Sequence, residues 1–378
     1  MVINKFVRKV QKLCHRCTFY ELPFSAQSIL GASLQSLTSR TPLIVVACLM
    51  PAIMMNSSSV FGGTLDEVLE RGYVKCAIGN RPVGDTRIGE SGYEGFFPEF
   101  CRIIALALFN DRNAVLMSPM LIRHGLQSIS ERDVDVYVSN VTWTFSRDME
   151  LGLTPAAVLY YDGQGFLSHL GTVPGAITDL KTATVCVSRA TTTIVNLKDY
   201  IKINNLEWEV LEFESSEGRN DAFFSRRCDL LTSDRLVLAT TRSTAVENPD
   251  NYVLHDEVIS SEPLVAYVNV DDMVWGNVVR WTIFATIFAE EKGISRENYT
   301  EFLDSPDPSI RRLLGVDPMT GSANVGLDPQ WARNIIAGSG NYGEIFDRYL
   351  GRHSEMNISR GANRSWKGGG LLFSPPLR

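Results

Sequence analysis

Most of the chain alternates short apolar strands with helical segments, and this alternation constrains the fold more than any other feature. "YVKCAIG" and "AVLMSPM" are typical of buried strands. Between them, "FFPEFCRIIALALFND" places apolar side chains on one helical face, at Phe100, Ile103, Ile104, Ala107 and Leu108. The strand "VDVYVSNVTW" follows the next helical segment. Strands separated by helices pair in parallel, so the sequence predicts βαβ units and an α/β fold.

The same alternation restarts in the second half of the chain. "ATVCVS", "WEVLEFES" and "CDLLTSD" are predicted strands, again separated by helical segments. "LYYDGQGFLSH" lies between the two units, and the strand "EPLVAYVNVDD" follows the second unit. Two α/β lobes joined by two extended crossings account for this order. We expect residues 61–160 and 264–378 to form lobe 1 and residues 161–263 to form lobe 2.

The first 60 residues differ from the rest. Six Lys or Arg residues and one acid precede the apolar run "TPLIVVACLMPAIMM", and "NSSSVFGG" follows it. A basic flank, a short apolar core and a small-residue exit predict a secretory signal peptide, and an uncleaved membrane anchor is the alternative. Export makes disulfides permissible for the four cysteines beyond the leader, which allow three pairings.

Several functions lack their motifs. The net charge is −7, without a basic stripe, so we expect no nucleic-acid binding. The five histidines are scattered, with no HExxH and no pair at ligand spacing, so we expect no metal site. There is no GxSxG or GxxxxGK[ST] motif either. We therefore expect no cofactor.

Three polar segments each follow a predicted strand, at the carboxyl end where open α/β sheets bind ligands. "SNVTWTFSR" supplies Arg147, and "RATTT" supplies Thr191 and Thr192 at a helix start. "LLTSDRL" supplies Asp234. A guanidinium and a helix N-terminus bind carboxylates, whereas an aspartate accepts hydrogen bonds from an ammonium. Together the segments complement a zwitterion.

Each of these residues also has a simpler interpretation. Arg147 could pair with Asp148 or Glu150 on its own helix. The threonines and Asp234 could be ordinary helix caps, and Trp143 could be a packing residue. The conjunction of all three segments at strand ends favours a ligand site.

These residues resemble a known family. "VDVYVSNVTWTFSRDMELG", "YYDGQGF", "VCVSRATTT", "RRCDLLTSD" and "GNYGEIFDRYLG" look like the general L-amino-acid-binding periplasmic proteins of ABC importers, among the family 3 extracellular solute-binding proteins. The resemblance runs from about Gly63 to the C-terminus. It implies a two-lobed type II periplasmic-binding-protein fold with two hinge crossings and an extended helical C-terminal part.

The resemblance also implies roles for individual residues. Arg147 would clamp the ligand α-carboxylate, with contacts from Thr142 and from the Thr191–Thr192 turn. Asp234 would bind the α-ammonium. The remaining implied ligand-binding positions are Ser139, Asn140 and, beside the clamp, Trp143.

The same resemblance shows two positions at which this chain departs from the family and implies how its cysteines pair. The family usually has glycine where this chain has Ala190, and Pro98 stands in a helix start that is usually acidic. The resemblance places two cysteines in each lobe. It thereby implies the disulfides Cys76–Cys101 and Cys186–Cys228.

The sequence thus predicts a monomeric, non-enzymatic, periplasmic binding protein that captures free L-amino acids and delivers them to the transmembrane subunits of an ABC permease. Ligand would shift the protein from an open to a closed form. The alternatives are a dehydratase of the cyclohexadienyl-dehydratase type on the same scaffold, which would need a general acid in the cleft, and a ligand-sensing domain.

Overall fold

The computed structural model describes residues 63–80, 87–89, 92–189, 192–244, 248–322 and 325–378, all within one compact unit, Phe61–Arg378. The predicted leader, Ala190 and Thr191 lie outside the described residues.

The helices and strands follow one another in the alternating order that the sequence predicts. The strands are β1 (Val74–Gly79), β2 (Arg87–Gly89), β3 (Gly92–Glu94), β4 (Val115–Met120), β5 (Val136–Thr142), β6 (Leu153–Asp162), β7 (Gln164–His169), β8 (Thr182–Ser188), β9 (Glu207–Phe213), β10 (Leu230–Asp234), β11 (Tyr252–Leu254) and β12 (Glu262–Asn269). The helices are α1 (Thr64–Arg71), α2 (Phe96–Phe109), α3 (Ile122–Ser130), α4 (Phe145–Glu150), α5 (Thr192–Ile203), α6 (Ser216–Phe224), α7 (Arg235–Ser243), α8 (Met273–Glu291), α9 (Pro308–Leu313), α10 (Trp331–Ser339) and α11 (Tyr342–Tyr349).

The first sheet has the strand order β4-β1-β5-β12-β6. β1 runs parallel to β4 and β5, whereas β12 runs antiparallel to both of its neighbours. Ile78 and Val138 in its central strands are completely buried, as parallel strands covered on both faces must be. α2 packs against α10 and α8 and is buried almost all round. Pro98 lies in its first turn, where no backbone N–H is needed, so this departure leaves the helix intact.

The second sheet has the strand order β11-β7-β10-β8-β9. β8 runs parallel to β9 and β10, and β7 runs antiparallel to β10 and β11. Separate apolar clusters line its two faces, one around Phe166 and Trp208 and the other around Phe223 and Leu238. The sheet is therefore the centre of a layered α/β unit of its own.

Two adjacent crossings join the sheets. The chain leaves the first sheet at Asp162 and enters the second at Gln164, with only Gly163 between them. It returns through the segment between β11 and β12. A Cβ on Gly163 would lie 2.6 Å from the carbonyl oxygen of Ser260, so the close approach of the two crossings requires glycine at this position.

The sulfur atoms of both predicted cysteine pairs lie at disulfide distance. The separation is 2.05 Å for Cys76–Cys101, which joins β1 to α2, and 1.92 Å for Cys186–Cys228 beside the second sheet. The sequence predicted a strand that includes Cys228, but β10 begins at Leu230, so Cys228 lies just before it. Each α/β unit therefore contains one of the two pairs.

The C-terminal segment packs across the first crossing. The Asn363 side chain accepts from the backbone N–H of Tyr161 at 2.6 Å and donates to the Tyr161 carbonyl at 3.0 Å, as a paired strand would. Arg242 of α7 donates to the carbonyl of Met356 at 2.6 Å. This segment is therefore bound both to the hinge end of β6 and to α7. Within the described ranges, no helix is long and apolar enough to cross a membrane.

Candidate functional site

Ser139 and Asn140 lie at the carboxyl end of β5, beside the end of β1. Ser139 is 1% exposed and donates to the side-chain oxygen of Asn140 at 3.2 Å. A Cβ on Gly79 would lie 2.5 Å from the Ser139 hydroxyl oxygen. Glycine at the end of β1 therefore lets the two strand ends meet closely at this edge of the sheet.

Arg147 lies two residues inside α4, a short helix that Thr144 caps by accepting from the Arg147 backbone N–H at 3.4 Å. Its guanidinium donates to the Thr142 carbonyl at the end of β5. Among the described residues, no carboxylate lies within ion-pair distance of this half-buried side chain. The simpler interpretation, in which Asp148 or Glu150 neutralises it, is therefore wrong.

Asp148 is instead bonded to Trp143, whose indole N–H donates to it at 2.6 Å. The Trp143 side chain is 44% exposed and borders a groove of about 280 Å³ together with Ala157, Phe284 and Leu371. The other predicted ligand-binding residues that the structure describes are absent from the lining of this groove. Of the predicted ligand-binding residues that the structure describes, Trp143 is therefore the one that borders this groove.

In the second sheet, α5 begins at Thr192, a few residues after β8 ends at Ser188. The first N–H groups of a helix have no partner within the helix, and the helix dipole favours negative charge there. The start of α5 is therefore suited to an anionic group. Arg219 of α6 is 3% exposed and donates to the Ser188 hydroxyl, at the end of β8, at 3.0 Å.

Asp234 ends β10 and precedes α7, but its side chain forms no capping hydrogen bond. It therefore occupies the N-cap position of α7, as the cap interpretation has it, but without the side-chain hydrogen bond of an ordinary cap. Burial raises the pKa of Asp234 to about 6; the negative charge of Glu262 adds to this rise, and the positive charge of Arg219 opposes it. A carboxylate in this position favours a positively charged partner.

Two further carboxyl groups lie beside it, and neither was predicted. Asp162 and Glu262 face one another in the register of β6 and β12. Burial raises the pKa of Asp162 well above its usual value, with further contributions from the charges of Asp234 and Glu262. Glu262 accepts from the Ser260 hydroxyl at 2.7 Å. The hinge therefore concentrates carboxyl groups next to the predicted ammonium site.

The described residues provide groups suited to an anion and groups suited to a cation. The first comprise the Arg147 guanidinium and the start of α5, and the second comprise Asp234 and its acidic neighbours. No group of three or more His, Cys, Asp or Glu side chains in the described part of the chain has the arrangement of a metal site.

Two α/β units, two crossings and polar strand ends define a two-lobed ligand-binding protein. The chain is 37% identical to the general L-amino acid-binding periplasmic protein AapJ of Rhizobium johnstonii, over 90% of this chain and 100% of that protein. It is 38% identical to the glutamate/glutamine/aspartate/asparagine-binding protein BztA of Rhodobacter capsulatus, over 83% of this chain and 93% of that protein. A solved structure of a periplasmic binding protein from Brucella ovis with glutathione bound matches with a TM-score of 0.75 and 39% identity, over 84% of this chain and all of that one.

No family model matches the chain. The relatives alone are sufficient to assign it: the chain belongs to the periplasmic amino-acid-binding proteins of ABC transporters.

Proposed function

We propose that this protein captures free L-amino acids between its two lobes and presents them to an ABC permease. The observation that carries the proposal is the Arg147 guanidinium, which is fixed on the Thr142 carbonyl and has no carboxylate partner in the described part of the chain. A guanidinium held in this way retains free donors in fork geometry. The ligand α-carboxylate is the partner that such a group lacks.

The α-ammonium would bind at Asp234. In the ligand-free protein ionisation of this carboxyl group is unfavourable, because partial burial and the negative charge of Glu262 both oppose it. An arriving ammonium supplies the compensating charge, so part of the binding free energy comes from relief of this repulsion. Thr142, Asn140 and Ser139 would complete the lobe 1 side, and the Thr191–Thr192 turn the lobe 2 side.

The protein would act by differential binding. A ligand that contacts Arg147 in one lobe and Asp234 in the other is fully bound only when the lobes close, so it shifts the equilibrium towards the closed form. No covalent step is needed. We propose that the chain reaches the periplasm through the predicted leader and that the closed form is recognised by the permease.

The test is a thermal-shift and calorimetric screen of residues 61–378 against the twenty proteinogenic L-amino acids, with product analysis of the same mixtures. We expect a rise in melting temperature with at least one amino acid, which is recovered unchanged. The proposal fails if all twenty leave the melting temperature unaltered. Conversion of the bound compound would favour the dehydratase alternative, for which Asp162, with its raised pKa, is the candidate general acid.

A second ligand class deserves a place in the same screen. The Brucella ovis relative was solved with glutathione, whose γ-glutamyl group carries a free α-amino acid head. The same clamp of Arg147 and Asp234 would bind that head and leave the rest of the tripeptide in the cleft. Glutathione and γ-glutamyl dipeptides should then raise the melting temperature, whereas N-acetylated glutathione should not.

A further inference from the structure

Gln164 is the first residue of β7 and follows the first crossing directly. It is completely buried, although its side chain is polar. It lies opposite Asp234 in the register of β7 and β10, so the two side chains are on the same face of the sheet. A buried amide at this position requires an explanation from its contacts.

The side-chain amide joins two elements of the proposed ligand site. Its Nε2 donates to the carbonyl of Thr193, in the first turn of α5, and to the hydroxyl of Thr232 on β10, both at 3.0 Å. Thr232 lies two residues before Asp234 on the same strand. One amide group therefore fastens the start of α5, proposed to hold the ligand carboxylate, to the strand that carries the proposed ammonium ligand.

The backbone of Gln164 joins the same point to the second crossing. Its N–H donates to the Ser260 hydroxyl at 2.8 Å, and its carbonyl accepts from the backbone N–H of Ile259 at 2.8 Å. Ser260 in turn donates to Glu262 at the start of β12. Gln164 thus follows the first crossing in sequence, is hydrogen-bonded to the second crossing through its main chain, and is hydrogen-bonded to the start of α5 through its side chain.

The side-chain oxygen of Gln164 is buried and has no hydrogen-bond partner. Removing the amide would therefore eliminate an unsatisfied acceptor along with the donors. Neither partner would be left unpaired, because the Thr232 hydroxyl also donates to the carbonyl of Gly165 and the Thr193 carbonyl lies within a helix. The fold does not depend on this amide for its own hydrogen bonding.

We propose that Gln164 is a positioning residue that fixes the start of α5 relative to the hinge, so that ligand contact at α5 is coupled to lobe closure. The inference rests on the proposed function. It adds a residue that does not touch the ligand and that no strand-end pattern indicates.

The test compares Gln164→Met with wild type and with Gln127→Met, a matched substitution of an exposed glutamine on α3. The probe is an equimolar pool of the twenty L-amino acids, whose binding is titrated by isothermal calorimetry. We expect the half-saturating concentration to rise about tenfold in Gln164→Met and to stay within twofold of wild type in Gln127→Met. Hydrogen exchange with the pool bound should be faster at residues 192–200 and unchanged at residues 207–213.

Half-saturation of Gln164→Met within twofold of wild type overturns the inference. So does faster exchange throughout the second sheet, because it would indicate general destabilisation. If Gln164→Met does not fold, Gln164→Asn, which keeps the amide but shortens its reach, takes its place; failure of both to fold assigns the residue to the fold alone and also overturns the inference. If the wild-type protein does not bind any amino acid of the pool, the result refutes the proposed function instead.

Discussion

Replacing Arg147 by alanine tests the clamp most directly. In a closed cleft, an unpaired ligand carboxylate costs about 3–5 kcal/mol, because one partner of a desolvated charge pair has been removed. At about 1.4 kcal/mol per decade, the dissociation constant should rise by roughly two to nearly four decades. Isothermal titration calorimetry with the tightest amino acid from the screen measures this change.

The structure also predicts that Arg147→Ala should have little effect on the stability of the fold. The Thr142 carbonyl keeps the Tyr267 hydroxyl as a donor at 3.3 Å, so it is not left unsatisfied when the guanidinium is removed. We therefore expect a loss of stability of no more than about 1 kcal/mol, the net contribution of one hydrogen bond. Arg123→Ala on α3 removes an exposed arginine instead and serves as the charge-matched control.

Two comparisons make the result specific. Arg147→Lys keeps the charge but loses the fork, so its affinity should lie between those of wild type and Arg147→Ala. The α-amide of the same amino acid lacks the carboxylate, so its affinity should hardly differ between wild type and Arg147→Ala. Binding of the amino acid by Arg147→Ala within threefold of wild type would refute the assignment.

Three further outcomes follow from the structure. Affinity should fall about tenfold per pH unit below about 6, because the ammonium must then displace a proton from Asp234; calorimetry between pH 4.5 and 8 measures this, and a flat profile would contradict the assignment. Replacing Cys186 and Cys228 by serine opens a 42-residue loop and should cost about 4 kcal/mol in denaturant unfolding, whereas the reduced wild type, which also loses Cys76–Cys101, should unfold at a still lower midpoint. Asn363→Leu leaves the backbone N–H and carbonyl of Tyr161 without their side-chain partner and should cost about 2–4 kcal/mol in the same assay, whereas an unchanged midpoint would mean that this contact does not stabilise the fold.

The local pattern predicted long strands such as β1, β5 and β8, because each is a largely buried apolar run, but not β2, β3 and β11, which have only three residues each. It also predicted the strand-end residues, since parallel strands expose their carboxyl ends at the same edge. Helix ends were less predictable. Thr64 has the sequence pattern of an N-cap in "TLDEVLERG", yet Gly63 occupies that position and Thr64 is the first helical residue. The N–H of Thr64 donates at 2.6 Å to Asp272, 208 positions away, a contact that no local pattern contains.

The hinge residues were missed for the same physical reason. Asp162 and Glu262 are neighbours only through the register of β6 and β12, and Gln164 meets Asp234 only through that of β7 and β10. Such long-range registers depend on how both crossings pack, which the alternation of strands and helices does not determine. The "YYDGQGF" segment contains the one sequence signal for these hinge residues. It places Asp162 and Gln164, an acid and an amide, on either side of Gly163.

The acidic hinge implies that Asp234 has opposite effects on ligand binding and on stability: the ionised carboxylate would bind the ammonium, whereas the protonated form stabilises the ligand-free fold. Its pKa in the folded protein, about 6, is above the ordinary value of 3.8, so folding favours the protonated form. Stability from this group is therefore present below about pH 4 and is lost as the pH rises through about 6. Asp234→Asn should raise the ligand-free unfolding free energy by about 1–3 kcal/mol at pH 7.5, make little difference near pH 4, and abolish amino-acid binding. Thermal and denaturant unfolding at both pH values measure the first two effects. A variant less stable than wild type at pH 7.5 would mean that the carboxylate has a structural partner and that the hinge is not held ready for a cation.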